Sequence, residues 1–280
     1  MTLINWISPV SGDWNLAANW STGAVPTSAD DVTISAPGPY IVTVGSAITI
    51  RVGILHFLSY PTANSLTFNA PEAALQENTG KLTVAGALAV DSGWVSLNEA
   101  NTIGSVSVMG GVLAFGNAGA LGTGAISLSG GELLGTANET VTNALSFVGA
   151  STIAAAHGTT LNLESSNVSI QPVSTLNFGS LGEDGVVVWD AIVESGFPIV
   201  NVVAGTLEAD GPSLNDIINF GGEAVTVDAG ATLDLAGNPM AFPLLGGGSV
   251  IDSGAATALT LAGANFSGSI SGRSRLSPAA

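Results

Sequence analysis

The stretch Val-Ser-Val-Met-Gly-Gly-Val-Leu at residues 106–113 returns as Ile-Ser-Leu-Ser-Gly-Gly-Glu-Leu at residues 126–133. The apolar–Ser–apolar pattern that opens both copies occurs again at residues 145–147 and 168–170, so successive copies lie 20, 19 and 23 residues apart. A repeat of about 20 residues built from a short strand and a glycine turn is typical of a solenoid, in which each repeat forms one coil. The chain is therefore predicted to be all-β, a single β-solenoid whose stacked coils bury a continuous core.

The core of this solenoid is predicted from residues that hold the same place in each copy. We expect Val108, Leu128, Phe147 and Ile170 to stack on one another, because side chains alternate between the two faces of a strand. We also expect asparagines such as Asn138, Asn162 and Asn177 to lie at coil corners and bond turn carbonyls. If coils contain 20–24 residues, the chain forms roughly 11–13 of them.

Composition and charge exclude several classes of function. Apolar residues make up 46% of the chain and charged residues only 9%, with 37 glycines and no cysteine, so neither disulfides nor thiolate metal sites exist. Four basic residues stand against 21 acidic ones, for a formal charge of −17. Binding to nucleic acid, anionic lipid or anionic polysaccharide needs clustered cations and is therefore not expected. The four basic residues are Arg51, Lys81, Arg273 and Arg275.

No membrane span is predicted, although the mean hydropathy is +0.50. A spanning helix needs about 18 or more consecutive apolar residues. The best candidate, residues 185–205, is interrupted by Asp190, Glu194 and Pro198.

Residues 1–35 differ from the rest because they contain three of the five tryptophans, Trp6, Trp14 and Trp20. We expect these rings to form a cap over the open first coil. The alternative is a site at which the rings stack on a sugar. Asp30 and Asp31 are expected to close a turn before a strand, and a pair of calcium ligands is the alternative.

The sequence from Gly111 to Leu133 resembles the passenger-associated repeat of bacterial autotransporters. It contains the motif Asn-Ala-Gly-Ala-Leu-Gly-Thr-Gly, which is the most specific part of the resemblance. Residues 265–272 look like a further fragment of that repeat. The tryptophan-rich opening is similar to that of large rhizobial and methylobacterial surface proteins. The resemblance implies a right-handed parallel β-helix, exported to the cell surface or the medium, whose repeats are scaffold without catalytic residues.

The sequence departs from that family at both ends. We expect neither a Sec signal nor a C-terminal outer-membrane barrel of its own, and the export route is left open. The expected organisation is a cap segment at residues 1–35, solenoid coils at 36–272 and an irregular tail at 273–280.

Carboxylate pairs are candidate catalytic groups, because hydrolysis of a glycan needs two carboxylates facing one cleft. Each of them is also a plain solvated corner residue, which is the favoured interpretation. His56 lies among apolar neighbours and is expected to be a satisfied core or edge residue, and His157 has no evident Ser or Cys partner. No catalytic residue, metal ligand or cofactor site is therefore predicted. The candidate carboxylates are Asp228 with Asp234, Glu208 with Asp210, and the group Glu183, Asp184, Asp190 and Glu194.

The densest acidic patch is Glu183 and Asp184 with Asp190. It lacks the repeated Gly-Gly-x-Gly-x-Asp spacing of calcium-loading β-rolls, so calcium binding there is not predicted, although the sequence leaves it open.

The predicted function is a non-enzymatic, extracellular, structural or adhesin-like scaffold of a bacterial surface or secreted protein. The alternative is a protein that binds or acts on neutral glycans on the same fold. Its partner is an unidentified surface or a second copy of the chain, with end-to-end self-association through open coil edges.

Overall fold

The computed structural model describes residues 3–7, 9–27, 30–34, 36, 41–44, 48–50, 66–77, 82–195, 198–210, 224–272 and 275–278. Two compact units divide the chain, Met1–Leu133 and Leu134–Ala280. In both units, strands pair in parallel with the equivalent strand of another coil. The predicted parallel β-solenoid is therefore confirmed, whereas its right-handedness stays a prediction. No helix long and apolar enough to cross a membrane occurs in the described part of the chain.

In the described part of the first unit, the elements are a short 3-10 helix, Ala17–Asn19, and strands. Its strands are β1 Leu3–Asn5, β2 Gly12–Asp13, β3 Asp31–Ile34, β4 Ile41–Val44, β5 Ile48–Ile50, β6 Leu66–Glu77, β7 Leu82–Leu97, β8 Thr102–Val108, β9 Val112–Phe115 and β10 Ile126–Leu128, while β11 Glu132–Gly135 runs over the boundary at Leu133.

The repeat that suggested the fold is present in the first unit with the predicted register. In the pairing of β8 with β10, Val106 lies opposite Ile126 and Val108 opposite Leu128. All four side chains are buried. The serine between each pair is half-buried on the outer face, as the two-residue period of a strand requires.

The three N-terminal tryptophans form a buried cluster. The rings of Trp6 and Trp20 meet edge to face with centroids 5.0 Å apart, and those of Trp14 and Trp20 lie 4.6 Å apart. The indole N–H of Trp20 donates to the carbonyl of Trp14 at 2.7 Å. Because none of the rings is more than 2% exposed, none has a face open to a sugar, and the sugar-stacking alternative for these residues is wrong.

The second unit is built from strands alone in its described part. They are β12 Glu139–Val141, β13 Leu145–Phe147, β14 Ala150–Ala155, β15 Thr160–Leu163, β16 Val168–Ile170, β17 Thr175–Phe178, β18 Val186–Trp189, β19 Val193–Ser195, β20 Ile199–Val202, β21 Thr206–Glu208, β22 Val225–Val227, β23 Thr232–Asp234, β24 Met240–Gly246, β25 Ser249–Ile251, β26 Ala258–Phe266, β27 Ser269–Ile270 and β28 Arg275–Pro278.

One face of the second unit is a seven-stranded parallel sheet in the order β12-β15-β18-β21-β23-β25-β27. Its inward side chains form a continuous apolar ladder, each residue opposite the next: Leu161, Val187, Leu207, Leu233 and Val250. On another face, Phe147 lies opposite Ile170, as predicted. The ring of Trp189 fills the interior and meets Phe178 edge to face, with centroids 5.7 Å apart.

Coil length varies far more than the repeat suggested. In the first unit, opposite residues are separated by as few as 18 positions (Trp94 and Val112) and as many as 34 (Val32 and Leu66). In the second unit the separation runs from 17 (Thr232 and Ser249) to 26. The expected coil length of 20–24 residues is therefore wrong at both extremes, whereas the number of coils in the whole chain stays a prediction.

The asparagines expected at corners play a different part. Asn162 and Asn177 lie within β15 and β17, where the alternation turns them outward, so their predicted corner position is wrong. The Nδ2 of Asn201 on the next coil donates to Oδ1 of Asn177 at 3.0 Å. Asn138 lies at a turn, but its Oδ1 accepts the backbone N–H of Thr160 at 2.9 Å and bonds no carbonyl.

Candidate functional site

Several residues singled out in the sequence lie outside the described set. These are Arg51, His56, Lys81 and Arg273, together with the side chains of Asp31, Glu194 and Arg275.

His157 has a partner that its sequence neighbourhood did not reveal. Its Nδ1 lies 2.7 Å from Oδ1 of Asp184, although the two residues are 27 positions apart. His157 precedes β15 and Asp184 precedes β18, and these strands are neighbours in the seven-stranded sheet. Both side chains are exposed, at 85% and 54%, so this is a solvated surface pair.

The acidic patch of Glu183, Asp184 and Asp190 is not brought together as a set of metal ligands. Asp184 faces His157, while Asp190 is exposed at the opposite end of β18. Within the described residues, no group of three or more His, Cys, Asp or Glu side chains is placed to hold a metal ion.

The pair Asp228 and Asp234 does not converge either. Asp228 is exposed in the turn before β23, whereas Asp234 is the last residue of β23 and only 5% exposed. The two carboxylates therefore stand at opposite ends of one short strand and do not flank a common cleft.

Glu208 and Asp210, by contrast, do face a neighbouring coil. Glu208 ends β21 and lies directly opposite Asp234 of β23. Partial burial raises the pKa of the Glu208 carboxyl, and the negative charges of Asp234 and Asp210 raise that pKa further. Like charges directly opposite each other on paired strands are destabilising.

Asp234 and Asp252 are two buried carboxylates at the same edge of the sheet. Asp234 is 5% exposed, and its Oδ1 accepts the backbone N–H groups of Ala236 and Ser253, both at 3.0 Å. Asp252 is 4% exposed, and its Oδ1 accepts the N–H of Gly237 at 2.9 Å. Each carboxylate thus holds the turn that follows the other.

A third buried carboxylate belongs to Glu77 in the first unit, with an exposed fraction of 1%. Its Oε2 accepts the backbone N–H groups of Asn98 and Glu99, both at 2.9 Å, and the Nδ2 of Asn101 at 3.1 Å. Asn101 in turn accepts the N–H of Leu82 through Oδ1 at 2.8 Å. Glu77 therefore fastens the end of β6 to the turn that follows β7.

Trp94 is the exception among the tryptophans whose burial is described, because 39% of its surface is exposed. It lies on β7 opposite Val112, on the outer face. Asp91 precedes it by three positions, is half-buried, and has a buried Oδ1 without a hydrogen-bond partner among the described residues. Burial raises the pKa of this Asp91 carboxyl.

Comparison of the chain with protein-family models, with curated proteins and with solved structures found no match. The resemblance to the passenger-associated repeat consequently rests on its sequence phrases, and the fold rests on the parallel registers described above.

Replacing Glu208 with glutamine is expected to stabilise the protein at neutral pH. The raised pKa means that the folded state binds the Glu208 proton more tightly than the unfolded chain does, so the ionised carboxyl weakens the fold above that pKa. The gain should be about 0.2–1 kcal/mol at pH 7 and should vanish once the pH falls below the ordinary glutamate pKa. Thermal unfolding across this pH range measures it.

The matched control is Glu164→Gln, which removes one negative charge from an exposed side chain. If the two variants shift the melting temperature equally at pH 7, only the net charge matters. That result would contradict a local repulsion at Glu208.

Proposed function

We propose that the chain is a non-enzymatic, extracellular structural scaffold with an adhesin-like role at a bacterial surface or in the medium. The observation that supports the proposal is that polar side chains at the coil ends bind the backbone. They accept hydrogen bonds from backbone N–H groups of the same or the next coil, which stabilises the stack.

The buried acids illustrate this use. Glu77 accepts two backbone N–H groups of the turn after β7, and Asp234 accepts one from Ser253, 19 residues further along the chain. Asn138 does the same for Thr160 in the following coil. Hydrogen bonds to charged acceptors are worth about 1.5–3 kcal/mol each. These groups are committed to holding coils together, which favours a scaffold over a hydrolase.

The outer face of the second unit supports the adhesive part of the proposal. Thr152, Asn177, Asn201 and Thr226 lie in register on successive coils, all half-buried and outward. Such a ladder repeats one polar contact at the inter-strand spacing of about 4.8 Å. Many weak, regularly spaced contacts can together hold a partner surface through avidity, without any single tight binding site.

The proposal predicts that the chain is found outside the cell and that the folded chain promotes adhesion. Antibodies against it should label intact source cells or the medium, and beads coated with folded chain should adhere under flow more strongly than beads coated with heat-unfolded chain. Detection only after cell lysis would contradict the extracellular role. Equal adhesion of folded and unfolded coatings would contradict the scaffold role.

A neutral-glycan-binding function is the second candidate, and the exposed Trp94 favours it. An exposed indole offers an apolar face on which a sugar ring can stack. In the same bead assay, inhibition by a neutral polysaccharide together with loss of adhesion in Trp94→Ala would select this function. The matched control is Met109→Ala, since Met109 is also exposed, at 49%.

A further inference from the structure

Four carboxylates collect at the ends of three neighbouring strands of the seven-stranded sheet. Glu208 and Asp234 end β21 and β23 and lie opposite each other, Asp252 directly follows β25, and Asp210 follows β21 by two residues. Both Asp234 and Asp210 raise the pKa of Glu208. The negative potential is therefore concentrated at one edge of this sheet.

Asp252 adds an observation that is independent of this clustering. Its Oδ2 is buried and has no hydrogen-bond partner among the described residues, although the residue is 96% buried, being 4% exposed. A buried charged oxygen without a partner carries a desolvation penalty that is unbalanced unless a cation or a proton joins it.

The carboxylate with the unpartnered oxygen is bound at the backbone amide next to the one that Asp234 binds. Oδ1 of Asp252 accepts the N–H of Gly237, while Oδ1 of Asp234 accepts that of Ala236, the preceding residue. Asp234 also accepts the N–H of Ser253, the residue after Asp252. The two carboxyl groups are thus held at adjacent amides of one turn.

Backbone packing around Asp252 is tight. A Cβ added at Gly254 would clash with the carbonyl oxygen of Ala236, and one at Gly272 would lie 2.7 Å from the amide nitrogen of Asp252. Glycine at these two positions therefore lets the turns after β23, β25 and β27 approach one another closely.

We propose that this edge binds a divalent cation of the calcium type, with Asp234 and Asp252 as the charged ligands and Glu208 on its outer side. Calcium takes six to eight oxygen ligands in flexible geometry, whereas magnesium demands a near-ideal octahedron. Because no three acidic side chains of the described part are placed around one point, water and backbone oxygens would complete the shell. Affinity is therefore expected near the weak end of protein calcium sites, about 0.1–1 mM.

The test is thermal unfolding of the full chain at pH 7 with increasing CaCl2, against NaCl and MgCl2 at matched ionic strength. A site of this affinity should raise the melting temperature by about 3–5 °C at roughly 10 mM calcium. NaCl should give a smaller shift through screening alone. Equal shifts in calcium and in matched NaCl would overturn the proposal.

Asp252→Asn is the decisive variant, because the amide keeps the size of the side chain and an oxygen for the Gly237 N–H. It should lose most of the calcium-dependent shift, and Asp184→Asn, in the surface pair with His157, should keep it. A full calcium shift in Asp252→Asn, or its loss in Asp184→Asn, would place the cation elsewhere. A higher melting temperature for Asp252→Asn than for the parent, with no calcium response in the parent, would show that the buried charge is left unbalanced and would overturn the proposal.

Terbium luminescence keeps the proposal testable if Asp252→Asn fails to fold. Trp189 is the nearest indole in this sheet: it lies on β18, one strand from Glu208 and two from Asp234. Terbium emission excited through tryptophan should rise with the parent chain, fall when calcium is added, and be weaker in Glu208→Gln. Emission that calcium does not displace would overturn the proposal.

Discussion

Aspartate at both Phe147 and Ile170 is expected to leave the chain unable to fold. The two side chains lie opposite each other on β13 and β16 and are at most 2% exposed. Removing each apolar side chain costs about 2–5 kcal/mol of folding free energy. Placing an unpaired charge in the core costs several kcal/mol more at each position. The sum exceeds the total stability of about 5–15 kcal/mol that is usual for a domain. Far-ultraviolet circular dichroism and size-exclusion chromatography report the outcome.

The control uses the residues one position earlier on the same strands. Ser146 and Ser169 are also opposite each other but half-buried on the outer face. Aspartate at both should cost about 1 kcal/mol through like-charge repulsion and leave a folded, β-rich chain. A soluble Phe147/Ile170 double variant that melts like the parent would refute the assigned core ladder.

Glu77→Ala is expected to be the most damaging single replacement of an acidic residue in the first unit. The change removes the acceptor for two backbone N–H groups and for the Nδ2 of Asn101, in a place where the carboxylate is 1% exposed. Leaving such donors unpaired costs about 1–3 kcal/mol each, so a loss of about 3–5 kcal/mol is expected. Chemical denaturation of the purified variant measures it.

Two further variants separate the hydrogen bonds from the charge. Glu77→Gln retains an acceptor oxygen and should lose roughly half as much stability, because the bonds are no longer charge-assisted. Glu164→Ala removes an exposed glutamate and should change stability by less than about 0.5 kcal/mol. Equal stability of Glu77→Ala and Glu164→Ala would show that Glu77 does not fasten the coils.

The fold prediction is right where the sequence signal lies within neighbouring repeats. Within residues 106–133, glycine pairs and alternating apolar residues repeat at a constant distance, so the pairing of Val108 with Leu128 follows from spacing alone. The N-terminal coils, with Val32 opposite Leu66, lack such a signal. There the paired residues are 34 positions apart in the chain, and local periodicity contains no information about which strands meet.

The candidate sites were harder to predict for the same reason. Glu77 and Asn101 are 24 positions apart, and His157 and Asp184 are 27 apart, so neither pair is recognisable before the coils are aligned. The burial of Asp252 depends on glycines of two other turns, Gly237 and Gly272, packing against its own. Once the register is known, each pair occupies equivalent turns of neighbouring strands.

Unequal coils that nevertheless keep one ladder in register have an evolutionary consequence. Thr232 reaches its partner after 17 residues, and Thr160 reaches its own after 26. A difference of nine residues between these two coils therefore leaves the inward positions in register. Insertions and deletions in the connections between strands should be tolerated, because lengthening a loop costs little free energy. Lineages that diverge in this way would keep their architecture long after a linear alignment had lost them.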